Sequence, residues 1–196
     1  MKYSEVTLGQ IEAIINKIGG MEGMRQLLAG EMEAVPIKKS KLLVADGHFS
    51  ACELVANHDP KKFFQTRKGL YVWSGFVDWI VAAANPTEVG KKFGKVARFQ
   101  LVKNVTGKRL KVERPKDIWT ATDFCAWLSV KLKNQSNGED GELNTDCWNL
   151  FLVEGVNREV FVVYVCWYSA IRKWFVVTWS LVSEWNAGSR FASKPI

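Results

Sequence analysis

The chain carries only two histidines, His48 and His58, and four cysteines, Cys52, Cys125, Cys147 and Cys166, none of them in a C-x-x-C pair. That scarcity excludes the familiar zinc motifs and a dense disulfide framework. The cysteines read instead as small, mostly buried hydrophobes of a reducing compartment. No apolar run reaches the 18 or more residues of a membrane span, and no cationic segment precedes an apolar signal core. A cytoplasmic protein without membrane contact is the expectation. Catalytic and cofactor signatures are missing too. The stretch G-K-K-F-G-K at 90–95 has its glycines one residue too close for a phosphate-binding loop, and Val96 stands where the magnesium-binding hydroxyl belongs. No cofactor and no metal are therefore expected.

What is present is the composition of a folded protein, 47% hydrophobic and 24% charged. At 196 residues the chain can bury a core without staples, and one compact domain spanning 1–196 is expected. The net charge of +7 is unevenly spread. Residues 91–116 carry ten cations (Lys91, Lys92, Lys95, Arg98, Lys103, Lys108, Arg109, Lys111, Arg114, Lys116) against the single Glu113, whereas residues 1–35 are rich in glutamate. A basic middle of this kind attracts polyanions.

Along the chain, Leu8, Ile11, Ile14, Ile15 and Ile18 recur at helical spacing behind Thr7, a candidate N-cap, and Gly19-Gly20 ends that helix. A second helix over 21–29 makes residues 1–30 a helical hairpin. Its glycines loosely echo a DNA-gripping helical hairpin, but Glu12, Glu22, Glu31 and Glu33 would repel phosphate, so packing is the better role. The basic run Lys38, Lys39 and Lys41 precedes a short strand at 42–44. Residues 46–60 read as a polar loop around a short helix. Asp46, His48, Cys52, Glu53, His58 and Asp59 lie there and are the right types for a metal or a cysteine nucleophile, in a spacing that matches no motif.

A strand at 69–73 and a helix at 76–84, stopped by Asn85-Pro86, come next. Residues 96–102 and the vicinity of Leu110 and Val112 read as a basic hairpin turning at 104–108. A helix over 123–133 is capped by Thr120 or Thr122. Residues 134–146 form the most polar stretch, expected as a mobile loop whose acids do not match the calcium loop.

Residues 147–196 read as a C-terminal meander and tail: strands at 148–154, 159–168 and 173–182 with short turns between them. In the middle strand both alternating sets are apolar, Val160, Val162, Tyr164 and Cys166 on one side and Phe161, Val163, Val165 and Trp167 on the other. Such a strand belongs at the centre of a sheet covered on both faces, with the helices at 7–29 and 123–133 as covering material. The fold class is α+β: the helical hairpin and further helices packed on a predominantly antiparallel sheet that ends in the meander.

The segments TLGQIEAIINKIGGMEGMRQLLAGE, NLFLVE, RKWFVV and WNAGSRF, which cover about the first 30 and last 50 residues, resemble an uncharacterised family of small bacterial proteins common in reduced-genome candidate-phylum bacteria. The resemblance implies a bacterial cytoplasmic protein whose two ends belong to one architecture. No activity, ligand or site comes with it.

Three functions fit these residues. The first is a non-enzymatic protein contacting nucleic acid through Lys103, Lys108, Arg109, Lys111 and Arg114, with Trp119 on the flank for stacking. The second is a protein–protein interaction or regulatory subunit using Trp185, Arg190 and Phe191, unless that tail folds back on the sheet with Arg190 paired to a carboxylate or a carbonyl. The third is a small metal-independent nuclease using His48 or His58 with Glu53.

Overall fold

A computed structural model describes residues 7–31, 42–139 and 141–195, so the run Lys38, Lys39 and Lys41 lies outside the described residues. Two compact units divide the chain, Met1–Ser40 and Lys41–Ile196. The first unit holds α1 (Leu8–Lys17) and α2 (Gly20–Leu28). Thr7 caps α1 in a reciprocal box, its hydroxyl accepting from the Gln10 N–H while the Gln10 side chain accepts from the Thr7 N–H at 2.9 Å. The chain reverses through Gly19 and Gly20, both at positive φ. Gly23 permits the close approach of the two helices, since a Cβ there would lie 1.6 Å from the Ile18 carbonyl oxygen.

The second unit is α+β. Its eight sheet strands are β1 (Leu43–Phe49), β2 (Leu70–Val72), β3 (Val96–Leu101), β4 (Ile118–Thr120), β5 (Asn149–Glu154), β6 (Val160–Tyr168), β7 (Lys173–Trp179) and β8 (Arg190–Ala192). Its helices are α3 (Pro60–Phe63), α4 (Ser74–Trp79), α5 (Gly107–Glu113) and α6 (Ala121–Asn134). The sheet runs β1-β3-β8-β5-β6-β7-β2, and β4 pairs with β5 beside β8. The expected meander is present as β5-β6-β7, antiparallel throughout. Three pairs are parallel (β8 with β5, β4 with β5, β7 with β2), so the sheet is mixed but mostly antiparallel.

One edge of β5 is shared. Its first residues pair with β8 (Phe191 opposite Leu150) and its last with β4 (Trp119 opposite Val153). Ser193 closes the seam: its carbonyl accepts the Trp119 indole N–H at 2.9 Å, and its hydroxyl and N–H both bond Ala97 on β3.

The β6 strand is central, and its two residue sets enter two separate cores. Phe161, Val163 and Val165 join Trp119, Phe124, Trp127 and Phe151 under α6 and α4, a packing of rings in mostly edge-on and tilted contacts. Val162, with Leu150, Leu152, Leu101 and Phe191, is covered on the opposite face by Leu42, Val105, Leu110 and Trp185. α6 begins behind Thr120, whose hydroxyl accepts from the Asp123 N–H at 3.1 Å, and buries ten of its residues.

Residues 107–113, expected as the second strand of a basic hairpin, form α5 instead. Thr106 caps this helix through the Arg109 N–H, and Gly107 lies directly on the sheet, where a Cβ would come within 2.7 Å of Val162 Cγ2. The alternation K-x-L-x-V is too short to separate a strand from one helical turn, and burial of Leu110 decides for the turn. The other departure is at 46–60, where β1 extends through His48 to Phe49 and the helix begins only at Pro60, at the end of the stretch expected to surround it.

Replacing Val163, fully buried in β6, by Asp should cost several kcal/mol by leaving a buried charge unpaired. Chemical denaturation reads this as a collapse of the urea midpoint or loss of soluble folded protein. A variant as stable as the parent would contradict the central position of β6.

Candidate functional site

The predicted basic residues fall on and around one short helix. Lys103 lies in the connection after β3, while Lys108, Arg109 and Lys111 ride on α5 and Arg114 follows it. Two of the five are neutralised locally: Arg109 pairs with Glu113 at 2.6 Å, and Arg114 pairs with Asp117 while its guanidinium sits 4.2 Å above the Phe99 ring. Lys108 and Lys111 take part in no ion pair among the described residues. Trp119 is buried, with its indole N–H committed to Ser193, and is inaccessible for stacking.

The tail 185–191 folds back on the sheet. Phe191 is fully buried in β8, Trp185 is buried over the second core, and Arg190 Nε meets Asp46 Oδ2 at 2.7 Å. These three residues therefore hold the sheet together rather than forming an exposed surface.

The chemistry-bearing residues of 46–60 are also divided among elements. His48 is exposed on β1 opposite Ala97. His58 is only 4% exposed, packed on Phe63 and Phe64, and its Nε2 has no hydrogen-bond partner. Burial first and Lys133 second, against Asp59, lower the His58 pKa from 6.5 to about 4. Its imidazole is thus neutral in the folded protein at neutral pH. Burial likewise raises the thiols of Cys52, Cys125, Cys147 and Cys166, the last to about 11, which leaves none of them a ready nucleophile. Among the described residues, no three His, Cys, Asp or Glu side chains gather to hold a metal ion, and no helix is long and apolar enough to cross a membrane.

Near Cys52 a polar network ties the 134–146 segment to β1. Arg98 donates to the carbonyls of Asp46 (3.1 Å) and Glu142 (3.0 Å), and Lys131, 5% exposed, donates to the Ser50 carbonyl and pairs with Glu142. Burial alone would raise the Glu142 carboxyl, but Lys131 and the Ser50 N–H hold it below its ordinary range. Every member has a structural partner, so this network is a fastening of the fold.

What stands open is a face of the sheet. Strand register sets Tyr164 opposite Leu150 and Val177, Cys166 opposite Phe175, and Phe175 opposite Tyr71. Tyr71, Tyr164, Tyr168, Phe175 and Trp179 therefore share one face, the same face that α5 and Trp185 cover over β5 and β8. Beyond α5 the cover ends. Tyr168 is 55%, Trp179 47% and Trp148 36% exposed. The rings adjoin one another: Tyr71 to Phe175 at 4.6 Å, Tyr168 to Phe175 at 4.8 Å, and Trp73 stacked on Trp179 at 6.0 Å.

At the border with α5 the face deepens into a cleft of about 480 Å³ lined by Trp148, Tyr164, Trp179, Ser183, Glu184 and Trp185. Burial raises the Tyr164 phenol, and the buried indole N–H of Trp185 has no hydrogen-bond partner. Flat, half-exposed rings with a few polar groups at the rim can stack planar ligands.

This face was not singled out from the sequence, because Tyr164, Tyr168, Phe175 and Trp179 look like core residues of a two-sided strand pair. No signal in β6 separates the two sets, since the opposite one also carries large rings, Phe161 and Trp167.

Comparison with protein-family models, curated proteins and solved structures finds no match.

His58 gives a pH-dependent expectation. Between pH 6.5 and about 4 the unfolded chain binds a proton that the folded protein refuses, so stability falls as pH drops through that window and the loss stops below it. A His58→Phe variant should flatten this dependence in urea melts at stepped pH. An unchanged slope would show that another group carries it.

Proposed function

We propose that the protein is a non-enzymatic, cytoplasmic binding protein of bacterial origin that takes single-stranded nucleic acid on the aromatic sheet face. The observation that carries this reading is the run of adjoining rings on one face, the partly buried Tyr71 and Phe175 and the exposed Tyr168 and Trp179 on β2, β7 and β6, with Trp148 just before β5. Unpaired bases stack on such rings whatever their sequence, each stack contributing roughly 1–3 kcal/mol. A duplex, whose bases are already stacked, has no use for them.

Cations at two borders support the same reading. α5 rests on Val162, two residues from Tyr164, and the Lys108 N–H donates to the Leu181 carbonyl at 2.8 Å, next to the cleft residues Ser183 and Glu184. α5, which carries Lys108 and Lys111, thus borders the cleft side of the face. Arg172 and Lys173, in the β6–β7 connection and at the start of β7, flank the other, with Lys173 opposite Tyr168. Phosphates on either side of a stacked base would meet positive charge, and Glu184 inside the cleft favours contact with base amino groups over phosphate.

The reading predicts that a short single-stranded oligonucleotide binds at low salt and weakens as salt rises. Trp179→Ala should reduce affinity about tenfold, the worth of one stacked base. The pair Lys108→Ala and Lys111→Ala should leave stacking intact but lower the salt slope by roughly one for each phosphate no longer neutralised. Fluorescence anisotropy measures both. Absence of binding at low salt, or an affinity indifferent to Trp179, sinks the reading, and a protein partner recovered on the same face would replace it.

A further inference from the structure

A second surface feature lies at the opposite end of β7, where the 66–70 turn meets the end of α6. A pocket of about 110 Å³ is lined there by Phe63, Arg67, Lys68, Gly69, Leu70, Leu132, Lys133, Ser136 and Trp174. Three of these side chains are cationic and none is acidic. Lys68 and Lys133 take part in no ion pair among the described residues, and Arg67 donates only to the carbonyls of Phe63 and Gln65.

The geometry concentrates this charge. The Arg67 guanidinium lies 4.7 Å from the centre of the Phe63 ring and the Lys133 ammonium 5.4 Å from the same centre, so one ring holds two like charges within about 10 Å of each other. At the ~8 Å Debye length of physiological salt much of this repulsion between exposed charges is screened, and what the ring gathers is a set of cationic donors on one pocket. The carbonyls of Phe63 and Gln65 orient the Arg67 guanidinium there. Asp59 is already committed, capping α3 through the N–H groups of Lys61 and Lys62 and pairing with Lys62 at 3.7 Å. The α6 C-terminus supplies only about half an elementary negative charge, too little to balance three cations.

From this arrangement we infer an anion-binding pocket for a dianionic phosphate group. Arg67 offers its remaining fork of donors, Lys133 and Lys68 supply point charges, and the Ser136 hydroxyl completes the rim. The pocket opens to solvent on one side and has room for a tetrahedral oxyanion. The group these donors would recognise is a phosphate, either the free ion or the terminal group of a monoester whose organic part extends outside. This inference stands apart from the aromatic face and does not depend on it.

Titration of the ¹⁵N-labelled protein with inorganic phosphate, with a small phosphate monoester and with chloride at matched ionic strength tests the inference by chemical shift. Saturable shifts at the amides of Gly69 and Ser136, absent with chloride, are expected. Arg67→Ala and Lys133→Ala should each weaken binding about tenfold or more, and Lys133→Arg should largely retain it. Tighter binding of the monoester assigns the pocket to phosphorylated organic ligands, and equal binding assigns it to the free ion. Shifts that never saturate, that centre elsewhere, or that survive both alanine variants overturn the inference. The Trp179→Ala variant should titrate like the parent, so the phosphate pocket and the oligonucleotide face can fail separately.

Discussion

Burial of β6 on both faces is the constraint on which the rest of the second unit depends, and the chain meets it unequally. Under one face lies α6, with ten buried residues and a shell of interlocked rings from Trp119, Phe124, Trp127 and Phe151. Over the other lie only the seven residues of α5 together with Leu42, Val105 and Trp185. This smaller cover reaches Val162 and stops. The residues beyond it are those that tolerate half-exposure, since Tyr and Trp present a broad apolar ring and a polar edge to water at once. The candidate binding face is thus the uncovered part of a sheet whose centre must be covered.

Electrostatics follow a similar economy. Much of the basic excess is absorbed within the fold: Arg98 by backbone carbonyls, Lys131 by Glu142, Arg190 by Asp46, Lys91 by Asp123, Arg109 by Glu113 and Arg114 by Asp117. A cation spent on a carbonyl or carboxylate attracts no polyanion. Part of the 91–116 cluster is therefore offset within the fold, while among the described residues Lys92, Lys95 and Lys116, like Lys108 and Lys111 on α5 and the cations around Phe63, take part in no ion pair.

Legibility in the sequence tracked the range of the interaction concerned. The cap at Thr7 was legible, and that of α6 was narrowed to Thr120 or Thr122, because a hydroxyl and an N–H three residues apart decide such caps. The β5-β6-β7 meander was legible because period-two patterning and short turns are local as well. α5 was not, since K-R-L-K-V alternates as a strand would, and only docking of Gly107 on Val162 and burial of Leu110 select the helix. The aromatic face was hidden because exposure of Tyr168 and Trp179 depends on where a distant helix ends. The pairing of Arg67 with Lys133 around Phe63 joins segments some 66 positions apart, and nothing in either segment announces the other.

The three-residue strand β8 sits between the β1-β3 pair and the β5-β6-β7 meander, and it alone joins them edge to edge. Without residues 190–192 in place, the edges of β3 and β5 that β8 pairs would be left open. Such edges are the kind that recruit stray strands. Joining the two halves of the sheet therefore rests on contacts about 90 positions apart in the chain, which form more slowly than the local turns of the meander.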